Sequence, residues 1–224
     1  NLNGLAEQSI CGLHQLVGPG VTPGSGPGHL GLFGYNPVRY QVGRGVLAAL
    51  GIDFDLQPGD LAVRGNFCSL DGQGRIEDRR AGRISSDRNR QLCRLLRDIE
   101  LEDCELFVET VKEYRFLLVL RGKELSADIR DTDPQKVGVR PVEPEPLSKD
   151  AERTARLVKS FLNQAGNRLA DQHPANMVLL RGFSMRPEWP AFQDVFGLNP
   201  AAIAAYPMYR GLAKLVGMHI LETS

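Results

Sequence analysis

The chain has 224 residues, 42% of them hydrophobic, which suffices for one large domain or two small ones with packed cores. Lysine plus arginine and aspartate plus glutamate each number 27, so the formal net charge is zero and no global field draws in nucleic acid or an anionic membrane. No run of about 18 apolar residues and no basic-then-apolar leader is found, so neither a membrane span nor a secretory signal is expected.

The N-terminal run "LNGLAEQSICGLHQLV" reads as helical, and "GPGVTPGSGPGHLGLFGYNP" after it reads as a glycine- and proline-rich loop with a buried apolar end. In "GRGVLAALG", Val46, Leu47 and Leu50 share a helical face and Gly51 supplies the stop. A new unit is expected to begin near Asp60. There "LAVRGNFCSL", the turn signal Asp71-Gly72 and "RIEDRRAGRI" predict a hairpin. Leu92, Leu95, Leu96 and Ile99 recur at helical spacing behind serines able to cap the start, and the runs "CELFVETV" and "YRFLLVLRG" read as strands. The proline-rich stretch from Asp128 to Asp150 reads as a long ordered loop or linker. Next come a helix over "SKDAERTARLVKSFLNQAGNRLAD", a buried strand "ANMVLLRG", a short helix "PEWPAFQDVFG", a strand "AAIAAYP" and a closing helix "YRGLAKLVG". Helices alternating with strands give an α/β class.

Cys11, Cys68, Cys93 and Cys104 show no CxxC pairing and no histidine at metal-ligand spacing, so neither a zinc site nor a disulfide framework is indicated and a reducing cytoplasm is the simplest setting. Ser25 stands among glycines, where a hydroxyl is little obstructed and backbone N–H groups can face an anion, but on the residues alone a plain surface loop accounts for it better. Arginine outnumbers lysine, which favours bidentate grip on carboxylate or phosphate. Arg64 and Asn66 alternate onto one strand face, while Asp78, Arg79, Arg80 and Arg83 crowd a strand end that reads either as a solvated surface or as part of an anion pocket. Arg181 follows an apolar strand, at the position where ligands of α/β sheets tend to sit. His29 and His173 are each accounted for by structural hydrogen bonding, and "DTDP" from Asp131 by Asx-turn chemistry as readily as by a cation.

Taken in order, "TPGSGPGHLGLFGYNP", "GRGVLAALGI", "GDLAVRGNF", "IEDRRAGRI", "DTDP" and "NMVLLRG" resemble the archaeal-type cofactor-independent phosphoglycerate mutase family, also found in bacteria. The resemblance implies membership of the alkaline phosphatase superfamily: a core domain holding two divalent cations, manganese or magnesium, and a second α/β domain with a mixed sheet inserted after the nucleophile segment. It implies residues 1–50 as the nucleophile-bearing segment of the core, 60–205 as the inserted substrate-binding domain and 206–224 as a return towards the core. It further implies interconversion of 3-phosphoglycerate and 2-phosphoglycerate through a phosphoserine, without 2,3-bisphosphoglycerate. Ser25 would be nucleophile and metal contact. Arg64, Asn66, Asp78, Arg79, Arg83 and Arg181 would hold the phosphorylated substrate across a cleft from it.

Two departures bear on this. Many archaeal members carry Asp-Thr after the serine where this chain has Gly26-Pro27, which puts a metal contact there in doubt. The family's metal-ligating aspartates and histidines near both ends have no counterpart in this sequence, so the chain is expected to be a fragment that is inactive alone. A metal-dependent phosphatase or phosphonate-processing relative, and a non-catalytic anion-binding domain, are the alternatives.

Overall fold

A computed structural model describes residues 2–222. The chain divides into two compact units between Gln41 and Val42. In the first, the run expected to be helical is so only over α1 (Leu2–Glu7). Beyond it the Ser9 hydroxyl donates to the Leu5 carbonyl at 2.6 Å, and Leu2, Leu5, Ile10 and Leu13 are all exposed, so no buried apolar stripe extends the helix. A second helix, α2 (Ser25–Leu32), arises instead inside the stretch whose composition reads as loop. Pro27 falls in its first turn, where a missing N–H costs nothing, and the Gly28 N–H donates to the Gly24 carbonyl at 2.9 Å. A Cβ on Gly31 would stand 2.3 Å from the Leu16 carbonyl oxygen, so this glycine serves close packing rather than a bend.

The second unit contains α3 (Arg44–Gly51), β1 (Leu61–Leu70), β2 (Ile76–Asp78), a 3₁₀ turn (Ala81–Arg83) and α4 (Ser86–Arg97). There follow β3 (Cys104–Lys112), β4 (Arg115–Gly122), α5 (Glu152–Leu169) and β5 (Met177–Ser184). The last elements are α6 (Phe192–Phe196), β6 (Ala201–Ala202), α7 (Pro207–Leu215) and β7 (His219–Ile220). The Ser85 hydroxyl caps α4 by accepting from the Arg88 N–H, as the serines before it predict. The strand expected over "AAIAAYP" shrinks to two residues, and Ile203 beyond them is exposed.

β1 is the centre of the main sheet. β4 lies on one edge with β3 beyond it, β5 lies on the other, and β2 pairs with the end of β1. Every pairing in this sheet is antiparallel, where a mixed sheet was expected; the parallel pairing is confined to β6 and β7, a separate two-stranded sheet. The reason is topological. β4 and β5 both run against β1 and so parallel to each other, joined by α5, but β1 lies between them.

Side chains alternate across β1 and its neighbours and divide the sheet into unlike faces. Leu61, Val63, Phe67, Phe116, Leu118, Leu120, Val178 and Leu180 form the main core with Leu92, Cys93 and Leu96 of α4 and Val158, Phe161 and Leu169 of α5. The opposite face carries Arg64 and Asn66 beside buried Leu117 and Leu179. There α3 packs on β1 and β5, and α7 packs on α3. α3 is buried along its length against the sheet and α7. Glycines permit the approach. A Cβ on Gly45 would lie 2.0 Å from the Ala62 carbonyl oxygen, and one on Gly211 2.0 Å from that of Leu47. Gly45→Ala is therefore expected to cost about 3 kcal/mol, since backbone cannot yield as a side chain can. Urea denaturation of the chain and its variant checks this, and a loss below about 1 kcal/mol would contradict it.

Candidate functional site

Arg64 and Arg181 are direct cross-strand partners on β1 and β5, and Asn66 and Arg115 are direct partners on β1 and β4. All four thus belong to the face opposite the main core. Arg44, the first residue of α3, approaches from above the sheet: a Cβ on Gly182 would lie 2.6 Å from the Arg44 nitrogen. Gly182 has φ of 68°, a left-handed conformation at the irregularity where β5 slips register with β1, and glycine is what lets α3 begin beside Arg181.

The cluster is short of counter-charge. Burial, then repulsion from Arg44, Arg181 and Arg115, lowers the Arg64 guanidinium to about 10. Burial and Arg181 lower Arg44 as well. The Nε groups of Arg64 and Arg181 and the Oδ1 of Asn66 are buried with no hydrogen-bond partner among the described residues. Buried donors on cations are costly to leave unmade, and a bound oxyanion satisfies them.

Two acids tie the cluster to its surroundings. Asp133, whose side chain is fully buried, accepts from Arg79 Nε at 2.8 Å and Nη2 at 2.7 Å, and lies 3.7 Å from Arg181 Nη1. Glu113 lies 3.5 Å from Arg115 and 3.8 Å from Arg83. Both acids come from loops. "DTDP" clasps β5: the Thr132 N–H donates to the Leu180 carbonyl, the Leu180 N–H donates to the Thr132 hydroxyl, and the Asp131 carboxylate accepts from the Gly182 N–H at 2.7 Å. Asp133 also accepts from the Gln135 N–H, an Asx turn.

Of the residues singled out in the sequence, Arg64, Asn66 and Arg181 come together. Arg181 stands within β5, three residues before its end, rather than at the strand terminus. Arg79 reaches the group through Asp133. Asp78 accepts from the Arg80 and Gly82 N–H groups at 2.8 and 2.6 Å, holding a turn in which Ala81, Gly82 and Arg83 all have positive φ. Arg83 is 58% exposed at the rim. Arg44 and Arg115 were missed. Nothing at the start of a buried helix or the first residue of a strand marks a site, and only the register β1 makes with β4 and β5 reveals them.

Asp133 permits a pH prediction. Burial pushes its carboxyl up, but the bidentate Arg79 pair outweighs it and holds the group below the usual carboxylate range. A depressed folded value stabilises above the unfolded value of about 3.9 and is lost as pH falls through the lower one. Asp133→Asn is therefore expected to cost about 3 kcal/mol at neutral pH by stranding Arg79 and Arg181. The gap from the unaltered chain should narrow below about pH 4 in denaturant titrations.

Ser25 is exposed and is the first residue of α2, where the positive end of the helix favours an anionic oxygen. His29 Nδ1 donates to the Ser25 carbonyl at 2.7 Å, a bond along the helix that anchors its first turn. His173 is exposed, 3.9 Å from Glu77. Among the described residues no three His, Cys, Asp or Glu side chains converge as a metal ion requires, so the described residues do not by themselves build the two-cation site. No described helix is long and apolar enough to cross a membrane.

A family model described as 2,3-bisphosphoglycerate-independent phosphoglycerate mutase matches residues 6–176. A Thermus thermophilus protein named "Probable 2,3-bisphosphoglycerate-independent phosphoglycerate mutase" is 49% identical over 223 residues, covering 99% of this chain and 55% of its own length. An Aquifex aeolicus protein of the same name is 44% identical, with 99% and 57% covered. Among solved structures, the cofactor-independent phosphoglycerate mutase of Thermoplasma acidophilum superposes with TM-score 0.64 at 32% identity, over 87% of this chain and 56% of that one. The chain thus spans about half the length of the curated relatives it matches.

Proposed function

This chain belongs to the 2,3-bisphosphoglycerate-independent phosphoglycerate mutase family, and from that premise we propose that the protein it is part of interconverts 3-phosphoglycerate and 2-phosphoglycerate. The observation that carries the proposal is the arginine cluster on β1, β4 and β5 with its unpartnered buried donors, which suits a small ligand bearing a phosphate and a carboxylate. Arg64, Asn66 and Arg181 bind that ligand directly. Asp133 with Arg79, and Glu113 with Arg83, set the orientation of the neighbouring guanidinium groups.

In this reading Ser25 Oγ takes the phosphoryl group from one glycerate oxygen, the glycerate is retained and reoriented, and its other hydroxyl takes the phosphoryl group back. The helix start at Ser25 stabilises the anionic phosphoserine. We further propose that the whole protein works in the cytoplasm with two divalent cations, manganese or magnesium, which Ser25 would contact, and that residues 60–205 correspond to its inserted substrate-binding domain.

The test is the full-length parent, metal-loaded, supplied with 3-phosphoglycerate and followed by phosphorus NMR. Formation of 2-phosphoglycerate to an equilibrium mixture supports the reading. Release of inorganic phosphate without 2-phosphoglycerate makes the protein a phosphatase, and no turnover leaves an anion-binding domain; either outcome overturns it.

A further inference from the structure

We propose that Asn89 of α4, helped by Ser86, is a positioning residue for the mutase reaction: from the core side of the sheet it grips the turn between β3 and β4 and thereby fixes where Glu113 and Arg115 stand beside the ligand. The inference rests on the mutase reading for the ligand those two residues meet, and it adds to that reading residues that touch no ligand.

Three observations carry it. First, Asn89 is completely buried and fully bonded: its Nδ2 donates to the Glu113 carbonyl at 2.6 Å and to the Arg115 carbonyl at 2.9 Å, and its Oδ1 accepts from Cys93 Sγ at 3.0 Å. Its helix neighbours Leu92, Cys93 and Leu96 belong to the main core, so it acts from the side of the sheet away from Arg64. Second, Ser86, one helical turn earlier, accepts from the Glu113 N–H at 2.9 Å, and the Tyr114 carbonyl accepts from the Phe67 N–H of β1 at 2.8 Å, so the turn is held from outside along its whole length. Third, the turn needs holding. Glu113 has φ of 51°, a left-handed conformation that a residue with a Cβ enters at a cost.

The turn carries side chains that belong to the site. The Arg115 guanidinium lies 4.3 Å from the Tyr114 ring centroid and donates to its hydroxyl at 2.7 Å, while the Glu113 carboxylate stands between Arg115 and Arg83. Toward the turn, Asn89 and Ser86 bond only to backbone, so they act on these side chains through the place of the turn. A buried amide is costly unless all its bonds are made, and an apolar side chain would fill the same space without that requirement. What the amide supplies is direction: it fixes the carbonyls on either side of Tyr114 relative to α4, and a small displacement of a ligand-holding group is costly to a reaction.

The experiment is a double-substitution cycle in the full-length parent, read as calorimetric affinity for 3-phosphoglycerate and, in the metal-loaded protein, as kcat/KM. Arg115→Met keeps most of the apolar stem and removes the charge. In the otherwise unaltered parent, Asn89→Ala is expected to lower both readouts at least about tenfold. In the Arg115→Met parent the same change should lower them less than about twofold, since the group it positions is gone. The melting temperature should fall equally in both backgrounds, as it would for a merely structural residue, so the non-additive loss of affinity is the distinguishing sign. Ser86→Ala removes one bond to the turn and is the second variant should Asn89→Ala fail to fold, with a loss of about threefold expected and most of it recovered in Ser86→Thr, which keeps the acceptor. Equal fold-losses in the two backgrounds overturn the proposal, as does normal binding by either the Asn89→Ala or the Arg115→Met parent. A parent that binds 3-phosphoglycerate with the non-additive pattern but turns nothing over refutes the mutase reading and leaves the positioning role standing, and one that neither binds nor turns over refutes both.

Discussion

Ser25→Ala in the full-length parent is expected, on the mechanism proposed above, to lower turnover by about a thousandfold or more while leaving the fold in place, because the proposed phosphoserine cannot form without that oxygen. The position makes the comparison clean. Ser25 is exposed, it contributes its carbonyl rather than its hydroxyl to the bond with His29, and alanine is at least as good a helix former in the first turn of α2. Circular dichroism and the melting temperature should therefore be unchanged, and trapping of phosphorylated protein by acid quench should succeed for the unaltered parent and fail for the variant. Turnover within a few-fold of normal would remove Ser25 from the chemistry.

Arg181 gives the second large effect. The β1 ladder pairs it with Arg64, and the Thr132 and Asp131 clasp holds its chain neighbours Leu180 and Gly182, so its place in the sheet is fixed from both sides. Lysine there keeps the charge and loses the planar fork, and kcat/KM of the parent is expected to fall at least tenfold; methionine, which loses both, should cost about a hundredfold or more. A graded series in that order indicates bidentate grip on the ligand. Equal losses for the two variants would instead mean that Arg181 acts only by packing, and no loss would place it outside the site. Stability sharpens the reading, since Arg181→Met removes one cation from a repelling cluster but also a neighbour of Asp133 at 3.7 Å, and these opposed contributions should leave the unfolding free energy changed by less than about 1 kcal/mol.

The elements with strong periodicity were legible from the residues alone: α3, α4, α5 and the β1, β3, β4 and β5 strands follow from apolar spacing, serine caps and turn signals, because burial acts on side chains that the sequence writes down directly. Part of the cluster was legible too, since Arg64 and Asn66 two residues apart on a strand must share a face. Other features depended on partners distant in sequence. Helix α2 hides in a stretch where Gly31 is demanded by its close contact with Leu16, while Gly20 and Gly34 on either side of the helix do take turn conformations. The sheet is antiparallel because β1 separates two strands joined by α5, which no local pattern encodes. Arg44 and Arg115 join Arg64 only through strand register and the seating of α3 on Gly182, and Arg79 turns inward only because Asp133 arrives from a loop 54 residues away. The sequence by itself determined which side chains could be buried and which could grip an anion; tertiary structure decided which of those charges stand together with too few acids to balance them, because electrostatic repulsion and unmade hydrogen bonds are properties of distance rather than of order along the chain.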